Sequence, residues 1–461
     1  MNDDESITSA KLTVMVFTVV LLAINSSIGL VSFHETNHSR TYAQSPDPNL
    51  KFTGPINLSN NTKDSVYAQV SSQGASVYVV WQESDPDSQK QKGSNLYNNN
   101  VRNYDILIRK SVDGGLTFGK EINLSNNQGL SEHPQIVVSG DLVHVAWIDN
   151  SLTTNRDILY RKSTDGGQTF SKIINLSNSS GADSYNLEIA ADGNNFYAVW
   201  QDERPQITEM IDSMDRNFNN NGSGNITLNR NNSNVLFRAS SDGGNNFREP
   251  FTLSNFAFKS YPKIAAFENG VYLVWNVGII SEVVNGTNKD NSRNGIFFTR
   301  SVDNGNTFGE PTRLNGEGEP IGESQIASYG NNVYVVWGGN PDEKVVDDLL
   351  FARSIDRGKS FSYPVTLEEG NALNVEVAAD RDNNVYVAWQ AELEDGNEEI
   401  LIKKSLDRGL TFPHGYVNIS NNLGISECTS ISVSEDKTVY VAWEDEIQGN
   451  HEILLARSIK T

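Results

Sequence analysis

Residues 451–461 read HEILLARSIKT, and six earlier stretches begin in the same way and then run on. IRKSVDGGLTF (108–118), YRKSTDGGQTF (160–170), FRASSDGGNNF (237–247), FTRSVDNGNTF (298–308), FARSIDRGKSF (351–361) and IKKSLDRGLTF (402–412) each pass from an apolar strand through Ser-x-Asp-x-Gly to Phe. The seventh copy stops just after its Ser458. The missing half has a match at the other end of the chain. Phe52 and Leu58 in KFTGPINLS keep the six-residue spacing of Phe118 and Leu124 in FGKEINLS, and Trp81 follows Phe52 by 29 residues.

The tryptophans mark the same repeat. Trp81, Trp147, Trp200, Trp275, Trp337, Trp389 and Trp443 each end a strand such as VYVVW, and a strand ending in Ser follows each one. The next Trp lies 28 to 31 residues beyond the Phe of each unit. Internal periods of this length signal repeat architectures. Short runs of Val, Tyr, Trp and Ile between Gly, Asn, Asp and Ser clusters read as strands and turns. The expected fold is therefore all-β: a seven-bladed β-propeller of four-stranded blades, closed by the N-terminal strand completing the last blade. Closure removes the exposed edges that an open array would leave.

The Ser-x-Asp-x-Gly-x-Thr-Phe units resemble the Asp-box, or bacterial neuraminidase repeat, of sialidase-type propellers, over about residues 50–461. Asp binds the backbone of its own turn and Gly supplies a positive φ. The resemblance implies that the boxes are structural and lie on the face away from any active site.

Composition narrows the function classes. A net charge of −22 argues against a nucleic-acid backbone or an anionic membrane as the main partner. The single Cys428 excludes an intrachain disulfide framework. Residues 1–33 contain the apolar run Leu12–Ile24 behind Lys11, which reads as a signal peptide or an N-terminal membrane anchor. Residues 34–50 form a polar linker, and 51–461 the propeller. The expected location is secreted or anchored at the outer face of the cell membrane, with the membrane met only through the apolar segment. Sequons such as Asn57-Leu58-Ser59 permit glycosylation there. The expected form is a monomer without a required cofactor.

Four features suggest a site on the face opposite the boxes. Long Trp-to-Ser spacings place insertions at roughly 83–104, 202–233 and 277–294, and function tends to sit on such loops. Alternation along the innermost strands puts two polar rings towards the channel. One comprises Gln69, Gln135, Glu188, Lys263, Gln325, Glu376 and Ser430. The other, nearer the mouth, comprises Tyr67, His133, Asn186, Tyr261, Glu323, Asn374 and Cys428. Acids recur two residues after Trp (Glu83, Asp149, Asp202, Asp445) and six before Ser (Asp105, Asp157, Glu452 among them). Glu83 with Asp105, Asp149 with Asp157 and Asp445 with Glu452 are carboxylate pairs that fit Ca²⁺. They fit loop capping and salt bridges equally, and that structural reading is preferred.

A sialidase mechanism, implied by the resemblance, needs a Tyr nucleophile with a Glu partner, an Asp acid/base and an arginine triad. Tyr67, Tyr261, Glu132 and Glu323 are candidates for the first pair, and Asp149 or Asp202 for the acid. Only Arg156, Arg204 and Arg293 are placed to gather on top, and the usual Phe/Tyr-Arg-Ile/Leu-Pro motif is absent. The expectation is a carbohydrate-binding or interaction domain with an incomplete catalytic set, its partner a glycan or a surface protein. The ligand residues expected are His133, Tyr67, Tyr261, Asn186, Glu323 and Asn374. An exo-sialidase or related glycoside hydrolase is the alternative, and a protein-binding scaffold a second one.

Overall fold

The computed structural model describes residues 50–459, apart from 85–102, 154, 180, 205–231, 257–260, 278–282, 285–286, 289–294, 317–321, 339–347, 371, 394–395 and 447–448. The N-terminal apolar segment and most of the three insertions lie outside the described residues. Every regular element described is a β-strand.

Seven four-stranded antiparallel sheets succeed one another along the chain. Their innermost strands are Ser65–Gln73, Ser131–Ser139, Asp183–Asp192, Lys263–Phe267, Glu323–Tyr329, Leu373–Ala379 and Ser426–Val433. In blades 1 to 6 the chain runs outward strand by strand, with a separate short pair, Val283–Val284 and Thr287–Asn288, between the second and third strands of blade 4. Blade 7 differs: its outer strand is Ile56–Asn57, paired with His451–Arg457 through Ile56↔Leu455 and Asn57↔Leu454. A bridge between Phe52 and Ser458 extends this pairing, and the amides of Thr53 and Leu58 donate to the carbonyls of Arg457 and Ile453 at 2.9 and 2.7 Å. The unfinished seventh repeat is thus completed by the first strand.

The core sits between blades. The second strands are apolar on both faces because each is covered by the neighbouring sheet, so VYVVW-type runs are buried throughout. Seven hydrophobic clusters result, one at each junction. The cluster that joins the chain ends unites Val77, Val79 and Trp81 of blade 1 with Tyr440, Ala442 and Leu455 of blade 7. All seven tryptophans are buried. At 150–250 Å² of surface per large aromatic, each contributes roughly 4–6 kcal/mol.

The Ser-x-Asp-x-Gly turns join the third and fourth strands and define the lower face. Asp113 Oδ1 accepts from the amides of Leu116 and Thr117 at 3.0 and 2.9 Å, and Oδ2 from Thr117 Oγ1 at 2.6 Å. The Ser111 hydroxyl accepts from the amide of Gly115 at 2.9 Å. The pattern recurs around Asp165, Asp242, Asp303, Asp356 and Asp407. These donors hold every box carboxyl below its ordinary pKa. Gly167 has φ +81°, and a Cβ there would come within 2.9 Å of the Tyr78 ring on the preceding blade.

Candidate functional site at the upper mouth of the channel

The upper face is shaped by a backbone irregularity repeated around the ring. Inner strands of blades 1, 2, 3, 6 and 7 slip register by one bulge each, between Val66/Gln69, Glu132/Gln135, Tyr185/Glu188, Leu373/Glu376 and Glu427/Ser430. At each bulge one residue has left-handed backbone: Tyr67, His133, Asn186, Asn374 and Cys428, with φ between 46° and 56°. For Tyr, His and Cys such a conformation is strained, and bulges that re-aim side chains are common beside binding sites. All five belong to the upper ring expected from alternation. Tyr261 and Glu323, its members on blades 4 and 5, are not at bulges: Tyr261 precedes the strand Lys263–Phe267 and Glu323 opens Glu323–Tyr329, both in unbroken register.

The bulges are held by side chains that strand alternation did not single out. After five of the seven Trp the next residue is polar, namely Gln82, Gln201, Asn276, Gln390 and Glu444, each buried. Gln82 accepts from the amide of His133 on the next blade at 2.7 Å, and Glu444 from that of Tyr67 at 3.2 Å. Gln390 accepts from the amide of Cys428 at 3.4 Å and from Asn374 Nδ2. Asn276 accepts from the amide of Tyr261 at 3.1 Å, and Gln201 from Asn186 Nδ2 at 3.0 Å. A polar amide closing an otherwise apolar strand was the available signal.

Tyr67 and His133 meet edge to face, with ring centroids 4.3 Å apart. Burial of its hydroxyl, with Cys428, Glu444 and Glu132 nearby, raises Tyr67 to about 12. The His133 ring opens on the channel but is hemmed in by the mouth. That desolvation, with the charges of Arg156 and Lys263, lowers its pKa to about 4. Lower in the channel Lys263 Nζ bonds Glu188 Oε1 at 2.5 Å, and Gln325 Nε2 donates to Glu376 at 3.0 Å. Burial raises Glu376 to about 8, against the opposing pull of Lys263.

A cleft of about 220 Å³ opens on blades 3 and 4, lined by Tyr185, Asn186, Glu203 and Tyr261. Beside it Arg156 Nη2 lies 3.3 Å from Glu132, Nη1 3.3 Å from the Tyr185 hydroxyl, and the guanidinium 5.3 Å from the Tyr185 ring centre. The Arg156 amide donates to Asp183 at 2.8 Å. Gln201 Nε2 donates to Glu203 at 3.0 Å. Alternation brought Asn186 and Tyr261 to this cleft. Tyr185 and Glu203 were not foreseen, because the bulge after Tyr185 breaks the two-residue period on which that reading rested. Glu323 is exposed on blade 5, and Asn374 lies on blade 6. Arg204 ends a described strand, but its side chain and all of Arg293 lie outside the described residues.

The recurrent acids serve as buried anchors. Asp149 and Asp202 accept from the indole N–H of Trp147 and Trp200 at 2.8 Å each, and from Ser131 and Ser184 at 2.6 and 2.7 Å. Asp445 accepts from Trp443 and Ser426 at 3.0 and 2.8 Å. Glu83 accepts from Lys63 at 2.8 Å and Asn61 at 2.6 Å. Asp105, Asp157 and Glu452 accept from Ser125, Ser177 and Ser59 of the INLS-type segments. The acids do pair across the strands, as Glu83↔Asp105, Asp149↔Asp157 and Asp445↔Glu452. Protein donors engage each of these carboxylates, although Asp445 Oδ1 is buried without a partner, and among the described residues no three His, Cys, Asp or Glu side chains are grouped to hold a metal.

No family model and no curated relative matches the sequence. Solved structures do. A protein of unknown function from Dyadobacter fermentans is 12% identical, with 90% of this chain and 100% of that one covered and a TM-score of 0.52. The NanB sialidase of Streptococcus pneumoniae is 9% identical, covering 89% and 94%, with a TM-score of 0.47. The Hadza microbial sialidase Hz136 is 13% identical, covering 77% and 73%, with a TM-score of 0.44. The likeness to the Dyadobacter protein speaks for the fold alone.

Proposed function

We infer that this propeller is a glycan-binding domain whose ligand lies on the upper face, in the cleft of Tyr185, Asn186, Glu203 and Tyr261. The observation that carries this reading is the cleft itself: two tyrosines, an amide and a carboxylate converge on one concavity. Aromatic faces cover the apolar side of a sugar ring, while amides and carboxylates fix its hydroxyls. The Asp-box resemblance supports an upper-face site, since the boxes occupy the lower one.

Binding is favoured over sialidase-type hydrolysis on electrostatic grounds. A nucleophilic tyrosine requires a lowered pKa or an adjacent base, whereas burial, with Cys428, Glu444 and Glu132 nearby, raises Tyr67 to about 12. Asp149 and Asp202 are buried and fully engaged with Trp and Ser donors. Arg156 is already held by Glu132. The apolar run Leu12–Ile24 supports work outside the cell, as a secreted or surface-anchored monomer.

Glycan-array binding by the full chain at roughly micromolar concentration, lost in Tyr261→Ala, is the expected result. Turnover of a fluorogenic sialoside would favour the hydrolase instead. Absence of any glycan binding, with specific retention of a surface protein, would favour the scaffold.

A further inference from the structure

The charges around the cleft restrict its ligand further, given the glycan reading above. Arg156 is matched by Glu132 at 3.3 Å, and its own amide is turned to Asp183. Lys263 is matched by Glu188 at 2.5 Å. Among the described residues no cation pairs with Glu203, whose recorded partner is the neutral amide of Gln201. Glu203 and Asp183 are moreover direct partners across the strands, so two carboxylates share one edge of the cleft. Further round the mouth, burial with Glu427 nearby raises the pKa of Glu444, and burial with Glu398 and Glu446 nearby raises that of Glu427. Among the described residues, an anionic sugar entering here meets the carboxylate of Glu203 with no cation paired to it. A cation meets a carboxylate and two tyrosine rings, the combination that attracts ammonium groups through ion pairing and the ring quadrupole.

We propose that the cleft selects an amine-bearing sugar, with the ammonium group on Glu203 and between the rings of Tyr185 and Tyr261. The remaining contacts, from Asn186 and the two tyrosine hydroxyls, serve the sugar's own hydroxyls. Glu203 is then the specificity determinant: it decides between amino and acetamido sugars, whereas the aromatic walls serve both. The same acidic surroundings reject sialic acids and other carboxylated sugars.

The test is calorimetric titration of the full chain with a chitosan hexamer, a chitin hexamer and a hexalysine peptide. It is run at about pH 5.5, where the amines are charged. Chitosan is expected to bind at least about tenfold more tightly than chitin, equivalent to about 1.4 kcal/mol. In Glu203→Gln the gap is expected to fall to within about twofold, because chitosan binding weakens far more than chitin binding, with near-UV circular dichroism confirming the native fold. Equal affinity of the wild type for the two oligosaccharides overturns the amine assignment but leaves the glycan reading standing. A preference that survives Glu203→Gln removes Glu203 from the role. Hexalysine binding as tight as chitosan would reduce the effect to general polycation attraction and overturn the sugar site. Binding of neither oligosaccharide overturns both the glycan reading and this proposal.

Discussion

At the scale of single residues, the channel mouth combines strain with perturbed ionisation. Tyr67, His133 and Cys428 accept left-handed backbone because Glu444, Gln82 and Gln390 capture their amides from the preceding blade. Glu376 shows the cost of such crowding most plainly. Its folded pKa of about 8 lies above the ordinary carboxylate value, with burial as the main cause and Lys263 opposing it. A raised folded pKa means that the folded chain holds this proton more tightly than the unfolded one. The resulting stability is complete below the unfolded value and is lost as pH rises towards about 8. Glu376→Gln is therefore expected to melt at a higher temperature than the wild type at pH 9, and to narrow that difference by pH 4. Identical melting curves at both pH values would contradict the assignment.

At the scale of elements, the short strand Ile56–Asn57 does more than its length suggests. It covers the edge of His451–Arg457 and brings Leu58 into the cluster that joins blades 7 and 1. Deletion of residues 50–58 removes the outer strand of blade 7 and uncovers that edge. A fall in melting temperature of about 5 °C is expected, as follows from several kcal/mol in a domain of this size. Exchange protection should be lost first in Ser65–Gln73 and Ser426–Val433. Unchanged cooperative melting would refute the closure. This element was legible in the sequence because FTGPINLS repeats the Phe–Leu spacing of the other fourth strands. The bulges were not legible. They depend on an acceptor from another strand, often on another blade, and no local pattern in YAQV or HPQI announces it.

At the scale of the whole molecule, the ring separates structure from candidate function. Box turns, with carboxylates saturated by their own loops, form the lower face. The buried acids two residues after Trp147, Trp200 and Trp443 take the structural role preferred for them over metal binding. Asp149, Asp202 and Asp445 recur like catalytic or metal-binding groups, yet they recur because each satisfies an indole N–H that the blade junction buries. Tyr261 and Asn186, in contrast, were found by alternation, and the fold then added Tyr185 and Glu203 to them. Closure sets blade 7 against blade 1, so that Glu444 reaches the amide of Tyr67.

The upper-face assignment is tested most directly by hydrogen exchange of the full chain, with and without saturating chitosan or chitin hexamer. Slower exchange is predicted in residues 183–189, 201–203 and 261–265, with the box turns at 111–118 and 354–361 unaffected. Protection confined to the box face, or none on blades 3 and 4 while an oligomer is bound, would contradict the account.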